Sequence, residues 1–263
     1  MAAHSTALVT APTVRIATGN RVAEVISLEP QPDGGHADPP ALLVSFVWLR
    51  RFLRERHRYR YRDWVLDSGA FSAHNSGKEI RLAEYIEACR SLLGHDPTLT
   101  EVYSLDVIGD HHASRVNCDL MWEAGVPAVP TYHHGEPEAV LLDLARTYPK
   151  IALGGAVGLK PKYKMAWAAQ CFARTWPKRI HGFGFGTFEM IVALPWHSVD
   201  ASNWASGPCR YGNWKRYGRM SVRGSRQHLQ EEVKYYLGIE QKARIRWQAQ
   251  MRQLDTLPLE RTP

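Results

Sequence analysis

The chain has 263 residues, 44% of them hydrophobic and 22% charged, with a formal net charge of +7 from 33 Lys+Arg against 26 Asp+Glu. That balance excludes a disordered or fibrous chain, and no apolar run approaches the roughly 18 residues of a bilayer span, so no membrane partner is expected. The length suits a single (β/α)8 TIM-like barrel, typically about 250 residues, used whole.

The N-terminal stretch MAAHSTALVTAPTVRIATGN lacks the basic and then continuously apolar pattern of a signal peptide. It reads as an irregular arm over residues 1–20 of a protein that stays in the cytoplasm. Through residues 21–222 apolar or β-branched runs recur: AEVISLE, LLVSFVWL, DWVLDS, VYSLDVI, VPAVPTY, IALGGAV, RIHGFGFG and HSVDAS. About eight such runs close a parallel α/β barrel; a doubly wound open sheet has the same alternation and is the alternative fold. Helical spacing fills the intervals, with Leu82, Tyr85, Ile86, Cys89 and Leu93 on one face and Val140, Leu141, Leu144 and Tyr148 on another. Gly125 followed by Pro127 stops a helix before the next strand. Residues 223–263 form an added C-terminal segment, one or two polar helices from about Gln227 to Leu254, packed on the outside of the barrel.

Cys89, Cys118, Cys171 and Cys209 lie far apart and form no C-x-x-C pair, which argues against a zinc cage or a disulfide framework and leaves them as core thiols. The positive charge is clustered. RRFLRERHRYRYR, residues 50–62, carries seven arginines, among them Arg54, Arg56, Arg58 and Arg60, with Tyr59 and Tyr61 between them. A second basic stretch includes Arg210, Lys215 and Arg216. Basic runs interleaved with aromatic rings suit a phosphate backbone with exposed bases, so these residues are the candidate nucleic-acid contacts; a solvated basic surface is the plainer alternative.

In a barrel the C-terminal ends of the strands face the active site. Three aspartates end apolar runs there: Asp67 in WVLD, Asp106 in YSLD and Asp200 in HSVD. One such residue alone would be read as a helix cap or a loop hydrogen bond; three at equivalent positions point to chemistry. The glycines of LGGAVG (153–158) and HGFGFG (181–186) allow close approach of backbone to a flat or anionic ligand, or serve only turns and strand packing.

DSGAF at 67–71, YSLD at 103–106, LGGAVG at 153–158 and GFGT at 184–187 followed by Asp200 occur in one order. This ordered set resembles the queuine/archaeosine tRNA-guanine transglycosylase superfamily, over roughly residues 64–204. The sequence departs from that pattern after Asp200, where the C-x-C-x-x-C…H zinc subdomain is absent and ASNWASGPCRYGNWKRYGRM replaces the usual tRNA-enzyme segment. In those losses it is most similar to the compact phage-encoded DNA-guanine transglycosylases, the DpdA type, and a phage origin would put the protein in the host cytoplasm.

The resemblance implies an exchange of guanine in DNA for a 7-deazaguanine base such as preQ0, through a covalent Asp–sugar intermediate and with no cofactor. Asp200 would attack the anomeric carbon, as a carboxylate does in retaining glycoside chemistry, and Asp67 would shuttle the proton. Asp106 would accept hydrogen bonds from the base, with Ser68, Gly69, Gly154, Gly155, Ala156 and Gly184 along its edge and Phe71 or Phe185 on its face, core packing being the other reading of both rings. Three alternatives stay open: a tRNA-guanine transglycosylase; a metal-dependent barrel hydrolase using His111, His112, His133 and His134 with Asp106 and Asp110; and a non-catalytic nucleic-acid-binding barrel.

Overall fold

Alternation of inward and outward side chains along eight short parallel strands sets the architecture. The computed structural model describes residues 12–18, 39–58, 60–202 and 226–255. The strands are β1 (Thr13–Thr18), β2 (Ala41–Ser45), β3 (Trp64–Asp67), β4 (Leu99–Val102), β5 (Thr131–His133), β6 (Lys150–Gly154), β7 (Arg179–Gly182) and β8 (Ser198–Ala201). The helices are α1 (Leu49–Glu55), α2 (Ala70–Asn75), α3 (Leu82–His95), α4 (His111–Glu123), α5 (Glu138–Thr147), α6 (Pro161–Thr175), α7 (Phe188–Ala193) and α8 (Arg226–Asp255).

The sheet runs β4-β3-β2-β1-β8-β7-β6-β5 with every pairing parallel. Its two ends meet at a bridge between Tyr103 and Val129, where Val129 N–H donates to the Val102 carbonyl at 2.8 Å and Ser104 N–H to the Val129 carbonyl at 2.9 Å. The result is a TIM-like (β/α)8 barrel whose seam between β4 and β5 is closed by this isolated bridge.

Two separate cores follow from the alternation. Outward residues such as Ile16, Leu42, Leu66, Ile151 and Val199 pack under the helices, while Leu43, Val65, Tyr103, Val129 and Ala152 fill the barrel interior. The helical faces expected around Tyr85 and Cys89, and around Leu141 and Leu144, are buried in α3 and α5. Local chemistry sets the helix limits: the Asp110 carboxylate caps α4 by accepting from Ala113 N–H at 2.9 Å, and Pro161 occupies the first turn of α6. Cys89, Cys118 and Cys171 are buried free thiols, each pushed up to about 12 chiefly by burial.

One expectation changes. The first strand is TVRIAT at Thr13–Thr18, inside the stretch read as an irregular arm; AEVISLE lies outside the described residues. Arg15 obscured it, since a charged residue amid apolar ones breaks the pattern, yet its guanidinium turns into the barrel and meets Asp63 at 2.6 Å. Of the one or two C-terminal helices expected, the described residues form one, α8. Its Glu240 accepts from the Val14 backbone N–H at 2.7 Å, which docks the helix against the start of β1.

Candidate active site

Asp67 and Asp200 end β3 and β8, and Asp106 follows β4, so the topology delivers all three to the C-terminal mouth. Asp67 Oδ2 accepts from Gly69 N–H at 3.1 Å. Gly69 itself has φ +78°, and a Cβ there would meet Ser45 Oγ at 2.7 Å, so the turn that presents Asp67 requires glycine. Burial, reinforced by the charges of Asp106 and Asp200, pushes the Asp67 carboxyl up to about 7. Asp200 Oδ1 accepts from Gly184 N–H at 2.6 Å. Burial raises it to about 6, opposed by the Gly184 hydrogen bond and the nearby Lys164 ammonium.

Asp106 accepts from Ser104 Oγ at 3.1 Å and lies 3.3 Å from His133 Nε2. The other ring nitrogen of His133 is 3.0 Å from Glu136 Oε1. Burial opposes charge on this imidazole, but its hydrogen bonds to Asp106 and Glu136 prevail and hold it protonated, up to about 10. A cavity of about 240 Å³ opens beside Asp106 at the β4–β5 seam, between α4 and α5. Thr131 lines it, a buried residue whose hydroxyl has no hydrogen-bond partner among the described residues.

Other expected site residues fall into distinct places. Phe71 is exposed in α2. Phe185 is fully buried against Trp196, with ring centroids 4.6 Å apart, so its face is closed to a base and the core-packing reading holds. Gly184 uses its N–H on Asp200 and its carbonyl on Lys164 Nζ at 2.6 Å, so it serves the carboxylate rather than a base edge. Ser68 is buried, and the Ala70 N–H approaches its hydroxyl at 3.5 Å. Gly154 pairs with His133 across β5 and β6; Gly155 is exposed and Ala156 buried just beyond.

From Arg54 to Arg62 the arginine run leads away from the mouth. Arg56 pairs with Asp96, and Arg62 with Asp63 and Glu240, all around the starts of β3, β4 and β1. Loops entering parallel strands lie at the N-terminal face, opposite the carboxylates. Arg58 and Arg60 belong to the same descent from α1 to β3, and Arg54 to the last turn of α1 beside Glu55. Arg210, Lys215 and Arg216 lie outside the described residues.

Among the described residues no group of three or more His, Cys, Asp and Glu side chains is placed to hold a metal ion. The rings of His111 and His112 lie tilted against each other with centroids 4.2 Å apart, and His133 is engaged by two carboxylates. No described helix is long and apolar enough to cross a membrane.

Four polar residues at the site went unnoticed in the sequence: Glu136, Lys164, His181 and Ser198. His181 and Ser198 carry a usable signal, because Ser198 and Asp200 are two apart in one strand and so face the same side.

No protein-family model matches the chain, and no curated protein matches it. Solved structures do. A mutant tryptophan synthase alpha-subunit from the hyperthermophile Pyrococcus furiosus aligns over 87% of this chain and 98% of its own, with 11% identity and a TM-score of 0.49. The carboxyl transferase domain of Rhizobium etli pyruvate carboxylase aligns over 89% and 48%, with 14% identity and a TM-score of 0.49. The YdjI aldolase of Escherichia coli K12 aligns over 91% and 90%, with 10% identity and a TM-score of 0.45. The barrel itself stands on its own strand order and seam.

Proposed function

We propose that this protein is an enzyme, a guanine transglycosylase that exchanges guanine in DNA for a 7-deazaguanine base. The observation that carries the reading is the pair of buried carboxylates at the mouth, Asp67 held by the Gly69 N–H and Asp200 by the Gly184 N–H, with burial raising the first to about 7 and the second to about 6. Two carboxylates at one mouth can divide the labour of glycosyl transfer. The lower one, ionised first as pH rises, attacks C1′ and forms a covalent sugar ester. The higher one retains its proton near neutrality and donates it to the departing guanine. The incoming base then returns its proton to Asp67 and displaces Asp200, which restores the original configuration.

Asp106 suits base recognition. His133 stands 3.3 Å from one of its oxygens, and a carboxylate accepts from a guanine N1–H and 2-amino group. The cavity of about 240 Å³ beside Asp106 has room for a bicyclic heterocycle. Because a duplex conceals C1′, the nucleotide reaches this mouth extruded or single-stranded, at a cost of a few kcal/mol. The choice of DNA over RNA rests on the sequence resemblance.

The test is mass-spectrometric nucleoside analysis of DNA and tRNA from cells producing wild type or Asp200→Ala and supplied with 7-cyano-7-deazaguanine. A deazaguanine deoxynucleoside that appears only with wild type is the expected result. Modification confined to tRNA would move the target, and none in either pool, with soluble protein and confirmed base uptake, would end the reading.

A further inference from the structure

Below the mouth, the barrel interior carries a line of polar side chains that the exchange chemistry leaves unassigned. Lys150 Nζ lies 3.3 Å from Ser198 Oγ, and Ser198 Oγ lies 2.8 Å from His181 Nδ1. His181 is 0% exposed, and its Nε2 has no hydrogen-bond partner among the described residues. That nitrogen faces Asp200 Oδ1 at 3.9 Å. Tyr103 and Phe183 hold the imidazole from the sides, with centroids 4.9 and 4.6 Å away.

Donor and acceptor chemistry gives this line a direction. An ammonium only donates, so Lys150 uses the Ser198 oxygen as acceptor, and the Ser198 hydroxyl proton is free to go to His181 Nδ1. A neutral imidazole that accepts at Nδ1 carries its proton on Nε2. Burial, followed by the positive charges of Lys150 and Arg15, keeps this imidazole neutral, well below its usual range. Each donor in the line therefore points toward Asp200.

We propose that His181 is a positioning residue for Asp200, its Nε2–H fixed by the Lys150–Ser198 relay and directed at the carboxylate that attacks the sugar. The separation of 3.9 Å exceeds hydrogen-bond length, and a shift of about 1 Å in ring or carboxylate closes it, as catalytic contacts commonly tighten once substrate binds. With Gly184 N–H on the same oxygen at 2.6 Å, the two donors hold Asp200 in one orientation. The assignment rests on the reading of Asp200 as nucleophile, but the relay itself can be examined without turnover.

Protein labelled with 15N-histidine and 13C-aspartate provides that examination, with His181→Phe and Asp200→Asn giving the assignments. Long-range 1H–15N correlation of the wild type should show His181 neutral and protonated at Nε2 between pH 5 and 8. Ser198→Ala, which removes one oxygen and little volume, should mix the tautomers and raise the Asp200 titration midpoint by about half to one unit. Groups that also act on that midpoint, Lys164 from α6, Asp67 from β3 and Tyr103 beyond β4, are unchanged in this variant. The groups that face His181, namely Lys150, Arg15, Glu101 and His197, are likewise retained.

A wild-type Nδ1–H tautomer would overturn the proposal, as would an Asp200 midpoint that stays fixed in both Ser198→Ala and His181→Phe. Single-turnover trapping of the covalent adduct on guanine-containing DNA separates the two readings. Slower adduct formation in Ser198→Ala, by about tenfold, supports the positioning role. A wild type that forms no adduct while the tautomer and midpoint behave as expected would refute the transglycosylase reading and leave the relay standing.

Discussion

His133 Nε2 stands 3.3 Å from Asp106 Oδ2, so the carboxylate best placed to read a base is already paired with a half-buried cation. Glu136 completes the arrangement from the far side of the ring. His133→Gln should raise the KM for free base about tenfold, which corresponds to roughly 1.4 kcal/mol of lost binding, with a smaller effect on kcat. The same pair makes stability depend on pH. The folded-state value of His133 is raised from 6.5 to about 10, so its contribution is complete below about pH 6.5 and disappears as pH climbs through 10. The melting-temperature gap between wild type and His133→Gln should close across that window.

The rate of base exchange should peak in a narrow band. Asp200 must be ionised, which needs pH above about 6, and Asp67 must carry a proton, which needs pH below about 7. A kcat/KM profile from pH 5 to 9 should therefore be bell-shaped with its maximum between those limits. Asp67→Asn should lower the rate by about 10²–10⁴-fold and abolish the alkaline limb. A profile flat from pH 6 to 9 would reject this division of roles.

Both carboxylates should also cost stability. Their folded values exceed 3.8, so between about pH 4 and 7 the folded state binds more protons than the unfolded, and stability falls as pH rises through that range. Asp67→Asn and Asp200→Asn should each be more stable than wild type at pH 8, by about 1–3 kcal/mol, and lose that advantage near pH 4. Thermal unfolding at the two pH values measures it.

The arginine run should prove structural. Asp96 accepts from Trp64 Nε1 at 3.2 Å and from Thr98 Oγ1 at 2.6 Å, besides pairing with Arg56. Asp96→Ala should cost about 2–4 kcal/mol, because it strands buried donors. Arg54→Ala and Arg58→Ala, at the face opposite the mouth, should leave both the affinity for single-stranded DNA and its salt slope unchanged in fluorescence titration. A slope reduced by about one per substitution would return the run to a nucleic-acid role.

Gly155→Ala should damage the site through His133. Gly155 has φ +68°, and a Cβ there would fall 2.9 Å from His133 Cβ and 3.1 Å from His134 N. A loss of about 1–3 kcal/mol is expected. The KM for base should rise as in His133→Gln.

While closure of the sheet, as against an open doubly wound one, was decided by the tertiary structure, the sequence by itself determined the alternation of strands and helices and the positions of Asp67, Asp106 and Asp200 at the ends of apolar runs. Those features are local: a period of two or of 3.6, and a polar residue closing an apolar run, are written in consecutive residues. It did not reveal β1, because the inward guanidinium of Arg15 looks out of place until Asp63 is set beside it. Nor did it say that the arginines descend to the far face, where Arg62 meets Glu240 across 178 residues of chain. Strand order and register decided that the Lys150, Ser198 and His181 side chains would line up beneath Asp200, and closure of the sheet decided that Asp106 would gain a charged histidine. Electrostatic character in a buried site depends on which groups share the same small, water-poor volume, and that is a property of strand register and barrel closure rather than of any single stretch of sequence.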